Sequence, residues 1–271
     1  MRHPWTSARV LVTGASSGIG EALALGLAKR GAIPILVARR GHKLTAIAER
    51  IRHEYGITAP IIVADLGEPE DRARVMKEAG LLDGLFACAG LGSLDKVHLQ
   101  TLTQHRHMIE LNILGTVELI HAALPAMRAR RQGWILTVAS TAAFQSNPSF
   151  ATYGATKAFI LNWSLALRQE LRPVDVHVNC LCPGPTGTAF FAAGGIPWKD
   201  IPALQHPMEL KHVVTEAFAG LESNQAIIIP GLRNSLLNLL TRFVSRQMAA
   251  RIASWALVPA RHRGLIAKDE R

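Results

Sequence analysis

Cysteine is scarce in this chain: Cys88, Cys180 and Cys182 are the three among 271 residues. Three thiols build no disulfide framework, which argues against a small cross-linked secreted protein and fits a reducing cytoplasm. Cys180 and Cys182 alternate, so a strand would carry both on one face, where a zinc site still lacks two ligands; the expectation is buried core thiols. Met1 to Val12 has basic residues but no apolar stretch of signal-peptide length, and no uninterrupted apolar run reaches membrane-spanning length. The expected location is therefore the cytoplasm. Charged residues are also few, 18% against 49% hydrophobic, a composition unlike disordered or fibrous chains and suited to a large buried core. Acids are the scarcer sign, and the formal net charge is +10. Its location decides its meaning. From Gly231 to Arg271 there are eight Lys/Arg and two Asp/Glu, so the tail holds +6 and the body is only mildly basic. No nucleic-acid partner is called for.

The length suits one large α/β domain. Short β-branched runs at Val10–Val12, Ile33–Ala38, Ile61–Ala64, Gly84–Ala87, Trp134–Val138, Val174–Leu181 and Ala226–Ile229 alternate with longer helical patterns. Such spacing leaves room for crossover helices, so the expected fold is α/β: a Rossmann-type doubly wound parallel sheet of about seven strands, with a helical basic C-terminal extension. The expected division is a single dinucleotide-binding and catalytic domain over residues 1–230, including a substrate loop at 184–208, followed by the extension at 231–271. One helical stretch, Phe150 to Leu171, places Phe159, Trp163, Ala166 and Leu167 on one face, and Pro173 helps to stop it.

Directly after the first strand come Thr13, Gly14, Ala15, Ser16, Ser17, Gly18, Ile19 and Gly20, followed by an Ala/Leu-rich helix. Glycines at a strand-to-helix turn allow close approach of a pyrophosphate, and the helix N-terminus supplies free N–H groups with a partial positive charge. Gly14, Ser16, Ser17, Gly18, Ile19 and Gly20 are thus candidate dinucleotide contacts; the bland alternative is a glycine-rich turn without a ligand. The second strand runs into Arg39 and Arg40 with no acid. An acid there would bind a ribose 2′-hydroxyl, whereas arginine pairs with a 2′-phosphate. NADP(H) is therefore expected over NAD(H), with Arg39 the leading contact and Arg40 or Lys43 in support. The competing reading is a solvated arginine pair.

Tyrosine is scarcer still, with only Tyr55 and Tyr153. Tyr153 and Lys157 stand four residues apart, which on a helix puts them side by side. A phenol with an ordinary pKa near 10 is a poor acid or base at neutral pH unless its anion is stabilised, which a neighbouring ammonium can do. Taken alone, such a pair is common. Ser140, thirteen residues earlier at the end of the fifth strand, stands where open parallel sheets bind substrate.

These segments resemble the short-chain dehydrogenase/reductase family, with its T-G-x-x-x-G-x-G turn, its Ser-to-Tyr spacing and its Y-x-x-x-K pair. The resemblance covers about Arg9 to Pro230. It implies roles residue by residue. Asp65 and Leu66 match the position that binds adenine, although Asp65 alone reads as a helix N-cap. Leu111-Asn112-Ile113-Leu114-Gly115 looks like the L-N-x-x-G segment, whose asparagine holds a water leading to the catalytic lysine. Pro183, Gly184, Thr186 and Thr188 fall where the nicotinamide end is contacted. After the fourth strand the family commonly has N-N-A-G; here Ala87-Cys88-Ala89-Gly90 keeps Ala89 and Gly90 and loses both asparagines. The implied activity is interconversion of a carbonyl and an alcohol. Ser140 and Tyr153 would bind the substrate oxygen, Tyr153 would donate its proton, Lys157 would bind the ribose and depress the tyrosine pKa, and Asn112 would resupply the proton. The family also implies a homodimer or homotetramer.

Phe190, Phe191, Ile196, Trp198, Ile201 and Leu204 lie where the family closes a lid, so a hydrophobic substrate is expected, with Phe190, Phe191 and Trp198 as candidate contacts; the alternative is packing beneath the loop. From Leu236 to Trp255, apolar Leu236, Leu240, Phe243, Met248, Ile252 and Trp255 recur at helical spacing among Arg242, Arg246 and Arg251. Such a segment docks its apolar stripe on the body or a second subunit, or makes peripheral contact with the inner face of a membrane. His98, His105 and His107 cluster without matching acids or cysteines, so no metal is expected. The leading reading is an NADP(H)-dependent oxidoreductase. A non-catalytic NADP-binding regulator or membrane-associated protein of the same fold is its rival.

Overall fold

The computed structural model describes residues 5–257 apart from 197, 198 and 200. Seven parallel strands form one sheet in the order β3-β2-β1-β4-β5-β6-β7: β1 Arg9–Thr13, β2 Ile33–Ala38, β3 Ile61–Val63, β4 Gly84–Ala87, β5 Gly133–Val138, β6 Val176–Leu181 and β7 Ile227–Ile228. The expected architecture is therefore found. The strands read as nearly continuous apolar runs because both sheet faces are covered, one by a core including Leu23, Leu27, Phe86 and Phe218, the other by one including Leu11, Leu85, Leu119 and Ile135. Helices α1 (Gly18–Lys29), α2 (Gly41–Tyr55), α3 (Pro69–Ala79), α4 (Leu102–Ile109), α5 (Gly115–Arg130), α6 (Ala151–Leu171), α7 (Phe190–Ala193) and α8 (Leu210–Glu222) follow the strands in order. β1 pairs with β2 on one side and β4 on the other, so winding reverses there and opens a crevice beyond the strand ends.

Two expectations need correction. The sixth strand begins at Val176, since Arg172–Val174 forms a 3-10 turn around Pro173 and Asp175 is left-handed at φ 53°. On α6 the buried face only partly matches the apolar one read from the sequence: Leu167 is buried as expected and Trp163 packs against the core. Tyr153, Thr156, Lys157, Ile160, Ser164 and Leu167 are buried, whereas Phe159 and Ala166 are exposed and Trp163 is half-buried. The polar groups that the site and sheet need claim the inner face, which hydrophobicity cannot foresee. Separately, α4, a π-helical turn at Glu110–Leu114 and α5 run on as one helix, Leu102–Arg130, long and apolar enough by composition to cross a membrane, though charged and polar residues interrupt it. It packs on the sheet through Leu119, Ile120 and Met127 as a core helix does.

The extension folds as α9 (Leu232–Leu240) and α10 (Arg246–Leu257). Its expected stripe, Leu236, Leu240, Phe243, Met248, Ile252 and Trp255, faces outward, while Asn238, Ala249, Ala253 and Leu257 are buried. Docking on the body thus occurs through the small and polar face.

Candidate active site

A cleft of about 1100 Å³ runs along the strand ends, from Arg39 and Asp65 at one extreme to Phe191 and Leu204 at the other. The turn from β1 to α1 forms its floor. Gly14 has φ 66°, and a Cβ there would lie 3.0 Å from the backbone of Ala89, so only glycine lets this turn pass beneath the end of β4. Ser17 is the N-cap of α1 but makes no side-chain capping bond, leaving the first N–H groups turned toward the cleft without a side-chain acceptor. Ser16, Gly18, Ile19 and Gly20 line the same wall.

At the far end the two arginines divide their tasks. Arg40 donates to the Ser16 hydroxyl from Nε (3.1 Å) and from an Nη (2.8 Å), and to the Ser17 hydroxyl at 2.7 Å. It is thereby held across the glycine turn. Arg39, with a side chain 62% exposed, makes a 3.5 Å ion pair with Asp65, so the residue expected to lead is the less fixed of the two. Lys43 does not line the cleft. Asp65 is no helix cap: its Oδ1 accepts from Gly67 N, its own N–H donates to Asp71, and α3 is capped at Glu68. Beneath this loop lies Arg72, 3% exposed, which donates to the carbonyls of Leu66 and Gly67 and pairs with Glu118 at 2.6 Å. It clamps the Asp65–Leu66 wall to α5.

The two missing asparagines after β4 are partly replaced from β1. The Thr13 hydroxyl accepts from the N–H groups of both Cys88 and Ala89 at 2.9 Å. Behind Gly90, Asn112 Oδ1 accepts from Leu91 N and its Nδ2 donates to Leu91 O, each at 2.9 Å, with a further bond from Nδ2 to Thr156. The side chain is thus fully engaged as a brace. A Cβ on Gly90 would fall 3.2 Å from Asn112 Oδ1 and 3.3 Å from Lys157 Nζ, so this wall lies directly against Lys157.

Ser140, Tyr153 and Lys157 come together as expected. Ser140 follows β5, and its hydroxyl caps a short turn by accepting from Ala142 N at 3.1 Å. Tyr153 lies between Phe150 (ring centroids 4.6 Å) and Phe190 (5.5 Å) and is 7% exposed. Burial pushes its phenol up to about 12, against a hydrogen bond with Ser140 that pulls the other way. The expected depression by Lys157 is not met in this arrangement. Burial lowers Lys157 as well, to about 8, and its ammonium donates at 2.7 Å to the carbonyl of Val138. Desolvation thus favours the neutral form of each group, and at pH 7 the tyrosine holds its proton.

Pro183, Gly184, Thr186 and Thr188 line the cleft opposite, with Thr188 packed on Gly18 and Thr186 bonded to Gly184 O at 2.9 Å. Phe190 and Phe191 line the substrate end; Ile196 and Ile201 are buried beneath the loop instead, and Trp198 lies outside the described residues. Reading the sequence missed Phe150, whose ring adjoins Tyr153, and the part played by the extension. Asn234, Leu237, Asn238, Ala253 and Leu257 all line the cleft, and Asn234 covers Gly184. Asn234 and Asn238 stand one helical turn apart, a polar face that could have been noticed beside the apolar one. His105 bonds Thr152 at 2.8 Å and His107 packs on Gly67; among the described residues no group of metal-ligating side chains forms.

Fold and cleft together define the class, a doubly wound α/β protein with its cleft along the strand ends. Residues 8–194 match the short chain dehydrogenase family, and the chain belongs to it. It is 34% identical over 191 residues to an uncharacterized oxidoreductase of Myxococcus xanthus, covering 69% of this chain and 75% of that one. It is 36% identical over 180 residues to 11-beta-hydroxysteroid dehydrogenase 1A of Arabidopsis thaliana, covering 65% of this chain but only 51% of the plant protein. The match thus spans about half the length of that relative. A short-chain dehydrogenase of Sphingobium yanoikuyae, solved in complex with NADPH, superimposes with a TM-score of 0.80 at 32% identity, covering 87% of this chain and 94% of that one.

Proposed function

We propose that the chain is an NADP(H)-dependent enzyme that interconverts a carbonyl and an alcohol on a hydrophobic substrate, with Tyr153 as general acid and base. The observation that carries this reading is the half-buried Ser140 beside the buried Tyr153 and Lys157, in a cleft that also holds the Arg40-bridged glycine turn. The residues suit a dinucleotide. The uncapped N-terminus of α1 and the close approach at Gly14 leave room and N–H donors for a pyrophosphate, while Arg39 and Arg40 supply positive charge for a 2′-phosphate, and the Asp65 carboxylate beside them is paired with Arg39. When bound, a nicotinamide supplies or accepts the hydride.

The chain's own residues then handle the oxygen and its proton. Ser140 and Tyr153 orient the substrate oxygen from one side. Tyr153, protonated at neutral pH as an ordinary phenol is and more firmly so for its burial, holds the proton that an alkoxide-like oxygen requires. Lys157 places a positive charge near the phenol, 5.8 Å from the ring centre, where it favours the phenolate left behind. The Asn112 carboxamide is committed to Leu91 and Thr156, so its part is to hold the wall beside Lys157 in place. Phe150, Phe190, Phe191 and Leu204 exclude water from the reacting end and favour an apolar substrate.

The NADPH-bound relative and the hydroxysteroid dehydrogenase name of another relative support this choice of cofactor and substrate type. The test is NADPH consumption by purified protein against ketones and aldehydes graded by size. Turnover that rises with apolar bulk, and exceeds that with NADH, is expected. Cofactor binding without reduction of any carbonyl or oxidation of any alcohol would overturn the reading.

A further inference from the structure

We propose that the C-terminal helix pair docks on an anionic lipid surface. Of the seventeen exposed large apolar side chains among the described residues, ten lie between Leu232 and Trp255. They are aligned. Leu232, Leu236, Leu240 and Phe243 follow one another at helical steps along α9 and the turn after it, and Met248, Ile252 and Trp255 do so along α10. The opposite faces seat the pair on the body: Asn238, Ala253 and Leu257 are buried and line the cleft. Asn238, Ala253, Leu237 and Leu257 thus make the inward face while the rows of Leu232–Phe243 and Met248–Trp255 point away, more apolar surface than docking on the body alone would leave in solvent.

Charge decides between the occupants such a face could take. Between Gly231 and Leu257 there are four arginines, Arg233, Arg242, Arg246 and Arg251, all exposed, and no Asp or Glu. A second copy of the chain would set arginines against arginines. Anionic headgroups would neutralise them while the leucines, Phe243 and Ile252 enter the acyl boundary. Arg251 stands three residues after Met248 and four before Trp255, so cation and apolar groups share a face, as an interfacial helix requires. Since the inner side of the same helices is a wall of the cleft, docking brings that wall to the lipid boundary.

Full-length protein is sedimented with vesicles of phosphatidylcholine alone and of phosphatidylcholine with phosphatidylserine. Binding about tenfold or more stronger to the anionic vesicles, weakened by salt, is the expected result. A chain carrying Phe243→Ser, Met248→Ser, Ile252→Ser and Trp255→Ser should lose that binding while keeping the wild-type thermal melt. Should this variant fail to fold, Arg242→Gln, Arg246→Gln and Arg251→Gln together supply the same comparison without touching the apolar side chains. Equal or absent binding to the two vesicles would overturn the proposal, as would binding that survives the substitutions. So would a lipid-free dimer that these substitutions convert to monomer, since the occupant would then be a second copy.

Discussion

The ammonium of Lys157 donates a 2.7 Å hydrogen bond to the carbonyl of Val138, the last residue of β5, from a position only 5% exposed. A cation so placed is held at the expense of stability. Its pKa falls from 10.5 to about 8 because burial disfavours the charged form.

The consequence can be read as a pH dependence of folding. The unfolded chain binds this proton more tightly than the folded one, so Lys157 destabilises the fold fully below about pH 8, and that penalty disappears as pH rises toward 10.5. Lys157→Met removes the charge and keeps most of the volume. Relative to wild type, the variant should be more favoured at pH 7 than at pH 10, by up to roughly 3 kcal/mol in urea unfolding. A relative stability that does not change with pH would contradict the placement of this ammonium.

Arg40 should matter more than Arg39 for the choice of cofactor. Its bonds to Ser16 and Ser17 hold it across the glycine turn, whereas Arg39 is exposed and tied only to Asp65. Loss of charge-assisted hydrogen bonds to a phosphate is worth about 1.5–3 kcal/mol, so Arg40→Ala should weaken NADPH binding roughly ten- to a hundredfold and leave NADH nearly unchanged. Titration calorimetry with both cofactors checks this, with Arg39→Ala expected to have the smaller effect.

Asn112 is a brace before it is anything else. Asn112→Ala would leave the N–H and the carbonyl of Leu91 without their partners beside the cleft, at a cost of about 2–4 kcal/mol. A fall in thermal midpoint is expected, accompanied by weaker cofactor binding because Gly90 and Leu91 lose their support. Unchanged stability would show that Leu91 finds other partners.

The sheet, its order of elements and the Ser140, Tyr153 and Lys157 cluster were legible because they rest on local signals: β-branched runs, a glycine turn at a strand end, a four-residue spacing. What the sequence concealed depends on tertiary choice. Phe159 looks like a core residue but is exposed, because the buried face of α6 is assigned to Tyr153, Lys157 and Ser164 by the needs of the cleft. The leucines of α9 look like a docking stripe, yet Asn234 and Asn238 face inward instead. The pKa of Tyr153 was misread for a related reason. Spacing shows that Lys157 is a neighbour but says nothing of the aromatic rings whose burial outweighs it.

The most direct test is the Tyr153→Phe variant, assayed for NADPH-dependent reduction of the best carbonyl substrate alongside NADPH affinity. Phenylalanine keeps the packing against Phe150 and Phe190 and removes only the hydroxyl. Turnover should fall about a thousandfold or more with affinity for NADPH within about threefold of wild type. Activity that survives the loss of this hydroxyl would contradict the assignment of Tyr153 as the proton donor.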